Sequence, residues 1–205
     1  PAITIVASCG HTSIYHMDEN HNLNLMGETL DDAIGEAFDK VARVVGLGYP
    51  GGPKIDKAAK QGKTTYIDKI PIPKVDGYDF SFSGIKTFVT NYVNSCKMKN
   101  EEYIKEDIAH SFQDKVIEIV KNTLIKAKDE FSIKSISIVG GVSANKTLRN
   151  AIENSEELKN IDILFPKFEY CTDNAAMIAA AAFNSNKLQE NIHVDAIDTK
   201  RNKKI

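Results

Sequence analysis

The hydrophobic period of this chain changes at Thr29, and that change constrains the fold more than any other feature. Before it, residues 2–8 (AITIVAS) are apolar and β-branched, are bounded by a Cys-Gly pair, and read as a buried strand. Residues 12–18 and 21–27 alternate in part and are joined by Glu19 and Asn20, which predicts an antiparallel meander. From Thr29 onward, Leu30, Ala33, Ile34, Ala37, Phe38, Val41 and Val45 recur at helical spacing. Asp32, Gly35, Glu36, Asp39 and Arg43 line the opposite, polar side. YPGGP at 49–53 breaks that helix, and a shorter one with Ile55, Ala58 and Ala59 on one face runs to Gly62.

Residues 63–82 hold prolines and little periodicity, so they predict a loop that closes in FSFSG. A helix is expected over about 85–93. A long one follows, in which Ile104, Ile108, Phe112, Val116, Val120, Leu124 and Ala127 repeat every three or four residues. SISIVGG (135–141) reads as a strand ending in paired glycines, NKTLRNAIENS (145–155) as helix, and DILFP (162–166) as a last short strand. CTDNAAMIAAAAF (171–183) is a polar turn leading into an alanine-rich helix that could bury every side. This order fits one α/β domain with a mixed central sheet flanked by helices. Residues 1–188 are expected to form the lobe, with 63–131 as a loop-plus-helical insertion and 189–205 as a poorly ordered polar and basic tail.

Composition narrows the function. The formal charge of −2 gives no general attraction to nucleic acid, so RNA binding needs a local patch or a partner. No apolar run approaches the roughly 18 residues of a membrane span. Three widely spaced cysteines, Cys9, Cys96 and Cys171, point to a reducing compartment, and the cytoplasm is the expected location. A chain that starts at Pro1 and enters a strand almost at once reads as a fragment or a processed product, with the rest of its site on residues that precede it.

Chemistry can sit at three places. VASCGHTS (6–13) is a glycine turn between strands, where backbone N–H groups can approach a phosphate and the Ser8 and Thr12 hydroxyls can add donors; an ordinary turn is the alternative. SIVGGVSANKTLR (137–149) runs strand, glycine pair, helix, the arrangement at which open α/β sheets bind ligands. Gly140 and Gly141 offer bare backbone there and Asn145 an amide, the alternative being a plain turn with Ser143 as helix cap. Asp39 on its polar face, Gly52 in YPGGP and Asp56 one turn later form the third group. His11, His16 and His21 match neither a helical pair nor one face of a strand, and no H-E-x-x-H or C-x-x-C occurs. Asp173, at the head of the alanine-rich helix, is either a cap or a carboxylate aimed at a ligand.

Five of these stretches together resemble the second half of the TsaD family, the bacterial tRNA N6-adenosine threonylcarbamoyltransferases once called O-sialoglycoprotein endopeptidases or glycoproteases. They are VASCGHTS, GETLDDAIGEAFDKVARVVGLGYPGGP, DFSFSGIKT, VGGVSANKTLR and FPKFEYCTDNAAMIAAAA, and the likeness runs from about Ala2 to Leu188. It implies one lobe of the actin/Hsp70/sugar-kinase fold, with a nucleotide cleft between two lobes. The implied activity moves threonylcarbamoyl from threonylcarbamoyl-AMP to N6 of adenosine 37 in tRNAs reading ANN codons. The implied cofactor is one iron or zinc ion, held by two histidines outside this chain and by the aspartate of C-T-D-N, Asp173. The alanines after it then form the close-packed back of the site. Val6, Ala7, Ser8, Cys9 and Gly10 match the family's phosphate-facing turn. Asp39, Gly52 and Asp56 match its ribose and adenosine side, and Asn145 its adenine side. Cys9 stands where the family usually has glycine, which would cost roughly 1 kcal/mol if that residue needs a positive φ. No motif assigns the general base. The resemblance implies tRNA, a TsaB-like paralogue and a TsaE-like ATPase as partners. A kinase or ATPase of the same superfold, a non-catalytic scaffold paralogue and the old metalloprotease label are the competing readings.

Overall fold

Ile3, Ile5 and Ala7 are fully buried, and they make β1 (Ala2–Ala7) the centre of the sheet in a computed structural model that describes residues 1–20 and 22–184. His21 and the expected tail at 189–205 lie outside the described residues. β1 pairs antiparallel with β2 (Thr12–Met17), setting Ile5 opposite Ile14. On its other side it runs parallel to β4 (Ser135–Val139), setting Ile5 beside Ile138. The edge strands are β3 (Leu23–Glu28), antiparallel to β2, and β5 (Asp162–Leu164), parallel to β4. The order β3-β2-β1-β4-β5 is therefore the mixed sheet expected, built from a meander and two crossover strands. Residues 1–172 form one compact unit, and a second begins at Asp173.

Helix α1 (Ile34–Val45) buries Ile34, Ala37, Phe38, Val41 and Val45, the face that the spacing predicts. It starts later than Thr29, because Thr29 and Leu30 join Phe80 instead: Leu30 N donates to the Phe80 carbonyl at 2.8 Å. Two residues expected on its solvated side are interior. Gly35 is buried against the Ser8–Cys9 backbone, and Asp32 is 9% exposed between two lysines. Lys40 Nζ lies 2.6 Å from Asp32 Oδ1 and Lys86 Nζ 2.5 Å from Oδ2. Lys86 comes from a helix that a local window around Asp32 does not contain.

After α2 (Gly51–Ala59), the loop expected from residue 63 is tied down at both ends by acids from elsewhere. Asp107 accepts from Lys63 N at 2.9 Å and from Thr65 Oγ1 at 2.5 Å, and Ser111 Oγ accepts from Tyr66 N at 3.2 Å. At the far end Asp31 accepts from the Ser81 and Ser83 hydroxyls and from the backbone N–H of Phe82 and Ser83. That cap starts α3 at Ser83, so the helix runs Ser83–Lys99 rather than 85–93. α4 (Lys105–Glu130) follows the predicted repeat from Ile108 on, its buried stripe including Ile108, Phe112, Val116, Val120 and Leu124, whereas Ile104 precedes the helix and is exposed. α5 (Lys146–Glu153) covers Leu148 and Ile152.

The 4% exposed Asp107 carboxylate is held below the usual carboxylate range, first by the Thr65 hydroxyl and then by the Lys63 amide. A depressed folded pKa stabilises fully above the unfolded value of about 3.9, and the contribution is lost as pH falls through the lower folded value. Stability of Asp107→Asn is thus expected to decline less steeply than wild type below about pH 4. Denaturant melts at a series of acidic pH values check this; parallel acid limbs would refute it.

Candidate functional site

β1 and β4 are parallel neighbours in register from Ala2–Ser135 to Val6–Val139, so the turns that follow them leave from the same edge of the sheet. Gly140 has φ 91° and ψ 174°, and a Cβ there would sit 2.3 Å from the Ala7 carbonyl oxygen. Only glycine meets both conditions. Gly141 is the opposite case: it is exposed, and a Cβ there would have no neighbour within 4 Å. The loop is closed by Ser143, whose N–H and hydroxyl both donate to the Gly140 carbonyl, at 3.0 and 2.7 Å. Asn145, not Ser143, caps α5, its Oδ1 accepting from Leu148 N at 2.9 Å.

The other turn is seated on α1. Ser8 N donates to the His11 carbonyl at 2.8 Å and His11 N to Ser8 Oγ at 3.1 Å. Gly35 N donates to the Ser8 carbonyl, and a Cβ on Gly35 would lie 2.7 Å from Cys9 Cα. Thr12, expected as a possible ligand donor, is 1% exposed, and its hydroxyl accepts from Ile34 N at 2.9 Å; it anchors the start of α1 instead. Cys9 brings no backbone strain, since Asn100 is the one non-glycine residue at positive φ among the described residues. Partial desolvation, and after it the Asp39 carboxylate, raise the Cys9 thiol's pKa, so it stays protonated at the turn.

Asp39 links that turn to α2. Its Oδ1 accepts from Gly51 N at 2.7 Å, and a Cβ on Gly51 would lie 2.5 Å from Asp39 Cα. Gly52, next along, has open space where a Cβ would be. One turn further, Asp56 Oδ1 accepts from the Thr147 hydroxyl of α5 at 2.7 Å, and Oδ2 from Lys60 at 3.0 Å. Asn145 Nδ2 donates to Oε1 of the 1% exposed Gln113 at 2.8 Å, which leaves its second N–H for another acceptor. Residues 6–10, 39, 52, 56, 140, 141 and 145 thus lie along one connected rim: turn to α1, α1 to α2, α2 to α5, and the α5 loop back to β1. Gly35, Gly51, Gln113 and Thr147 are the members that sequence reading misses. A glycine inside a helical pattern is the signal for Gly35 and the YPGGP break the signal for Gly51; nothing local marks Gln113 or Thr147.

Asp173 opens the second unit. Asn174 Oδ1 accepts from Met177 N at 3.0 Å and caps α6 (Ala175–Asn184), so the exposed Asp173 carboxylate is not the cap that starts this helix. A hard carboxylate left out of the cap suits a cation in the company of imidazoles. Among the described residues no three His, Cys, Asp or Glu side chains cluster in a way that could hold a metal, so those residues offer such an ion Asp173 and no complete site. The alanines expected as a close-packed backing are exposed from Ala175 to Phe183.

Glycine turns at the carboxyl ends of adjacent parallel strands, in a 3-2-1-4-5 mixed sheet, define a lobe of the actin/Hsp70/sugar-kinase class. HypF of T. kodakarensis aligns with it at TM-score 0.52 and 19% identity, over 80% of this chain and 20% of that one, a likeness of fold alone. Within that class the chain belongs to the TsaD family, tRNA N6-adenosine threonylcarbamoyltransferase, whose model matches residues 1–180. Curated relatives of that name include those of Fusobacterium nucleatum, 51% identical over 93% of this chain, and Clostridium novyi, 49% identical over 89%. One from Clostridium perfringens strain SM101 is 47% identical over 98%. The chain spans 56%, 54% and 60% of the lengths of these relatives.

Proposed function

We propose that this chain is the second lobe of a two-lobed transferase that moves threonylcarbamoyl from threonylcarbamoyl-AMP to N6 of adenosine 37 in tRNAs reading ANN codons. The observation that carries the reading is the rim itself, on which two glycine turns, two mid-helix acids and an amide meet within one unit. In this reading the adenylate phosphate faces the Val6–Gly10 turn, and a protonated Cys9 adds no negative charge there. Gly52 and Gly141, open where a Cβ would stand, let the adenosine lie on backbone. Asp39 and Asp56 accept from the ribose hydroxyls through lone pairs that their internal bonds leave over, and Asn145 offers its remaining N–H to the adenine.

Attack by N6 on the carbamoyl carbon forms the new C–N bond and breaks that carbon's bond to the phosphate oxygen, so that AMP leaves with the bonding pair and one N6 proton is released to solvent. Asp173 supplies one ligand for an iron or zinc ion, with two histidines of the first lobe; Lewis-acid stabilisation of developing charge on oxygen is what such an ion provides when bound. Orienting the adenylate across the rim remains the task of this lobe's own residues. A TsaB-like paralogue and a TsaE-like ATPase are the partners in this reading, and tRNA is the acceptor.

The test supplies the chain joined to a first lobe of the family with threonylcarbamoyl-AMP and unmodified tRNA. Threonylcarbamoyl-adenosine and AMP should appear in equal amounts. Phosphoryl transfer from ATP with no modified adenosine would replace this reading with a kinase.

A further inference from the structure

Arg149 joins two motifs that lie far apart in sequence. From α5 its Nε donates to the Ser143 carbonyl at 2.6 Å, and Nη2 donates to the Pro166 carbonyl at 2.6 Å. The same Nη2 lies 3.3 Å from Cys171 Sγ, and Cys171 is 3% exposed. The guanidinium also covers two rings, its carbon 4.8 Å from the Phe165 centroid and 4.3 Å from that of Phe168. One planar cation therefore binds the loop after Gly140–Gly141 to the segment 165–171. Phe165 packs against the core, and Lys146 Nζ lies 5.8 Å from the Phe168 centroid. β5 ends at Leu164, and the turn after it bonds to itself, Tyr170 N to the Lys167 carbonyl and Cys171 N to that of Phe168.

We propose that Arg149 is a positioning residue, which fixes the 165–171 segment against the Ser143 loop and so sets where the chain delivers Asp173, two residues beyond Cys171. This rests on the reading of Asp173 as the ion's ligand. A planar fork can bridge two carbonyls while stacked between rings, and a lysine ammonium in its place keeps the charge but not that geometry. The residue thus acts on the cation site through backbone placement, without touching substrate.

Amide exchange of the metal-free chain reads the first half of the claim. In Arg149→Lys the Tyr170 and Cys171 amides should exchange at least about tenfold faster, some 1.4 kcal/mol of lost protection, while β1 and β4 keep theirs. Titration of the two-lobed protein with zinc or iron(II) alone reads the second half. Metal affinity should fall at least about tenfold, in the range that residues supporting a ligand reach, with adenylate affinity within about twofold of wild type. Phe168→Leu, which removes one stacked face, should move both readouts the same way and takes over the test if Arg149→Lys does not fold. Unchanged exchange at 170 and 171, or equal loosening of β1 and β4, would overturn the proposal; so would unchanged metal affinity where Asp173→Ala loses it. If Asp173→Ala itself keeps the metal, it is the functional reading that fails, and amide exchange alone decides whether Arg149 holds the segment.

Discussion

In the two-lobed protein, Asp173→Ala should lower the rate of threonylcarbamoyl transfer by more than about a hundredfold while leaving the melting temperature nearly unchanged. Losing a residue that merely supports a metal ligand costs about 10–100-fold, so losing a ligand should exceed that range. Stability should hold because the carboxylate is exposed and Asn174 caps α6, and surface changes of this kind stay within about 0.5 kcal/mol. Asn174→Ala is the complementary variant. It removes the cap bond to Met177 N and should cost about 1 kcal/mol of local helix stability with Asp173 still in place. Transfer kinetics, metal content and thermal melts on both variants decide the matter. An Asp173→Ala protein that turns over at the wild-type rate removes the residue from the mechanism.

The paired glycines should respond in opposite ways to the same added methyl group. Gly140→Ala is expected to destabilise the lobe by about 2–6 kcal/mol. The estimate combines about 1–3 for a backbone conformation nearly confined to glycine with a similar amount for pressing a methyl group onto the Ala7 carbonyl. A loss of that size approaches the whole stability of many domains. Gly141→Ala meets nothing within 4 Å and should fold like wild type. Its effect belongs to the ligand: adenylate affinity should fall about tenfold, or 1.4 kcal/mol, if adenosine lies on that backbone. Denaturant melts paired with adenylate titrations separate the two effects. Comparable stability losses in both variants would show that the rim does not discriminate the two positions as described.

Much of this architecture was readable from hydrophobic period. The α1 face, the meander and the α4 stripe need only neighbours within a few turns, and the order of elements along the chain follows from where the periods change. What was not readable involves partners distant in sequence. Asp31 starts α3 from about fifty positions upstream, and no window around Ser83 contains it. Asp32 and Gly35 looked solvated because Lys86 and the Cys9 turn arrive from other elements. The two glycine turns could be found as strand ends, since bare backbone is a local property. The joints that make them one rim, Asp39 to Gly51 and Asp56 to Thr147, are tertiary and left no periodic trace. Nothing near Arg149 in sequence marks it as the tie to the 165–171 segment, because Pro166 and Phe168 lie 17 and 19 positions on.

The anchoring of the 63–83 stretch offers a practical handle. Its first residues hang on Asp107 and Ser111 and its last on Asp31, while Lys74, Asp76 and Gly77 between them are exposed and outside any helix or strand. Each shoulder is moored separately, so the crest between Lys74 and Gly77 is where the chain can be opened to carry a fluorophore, a tag or a protease site. A reporter placed there would leave the backbone of the rim untouched.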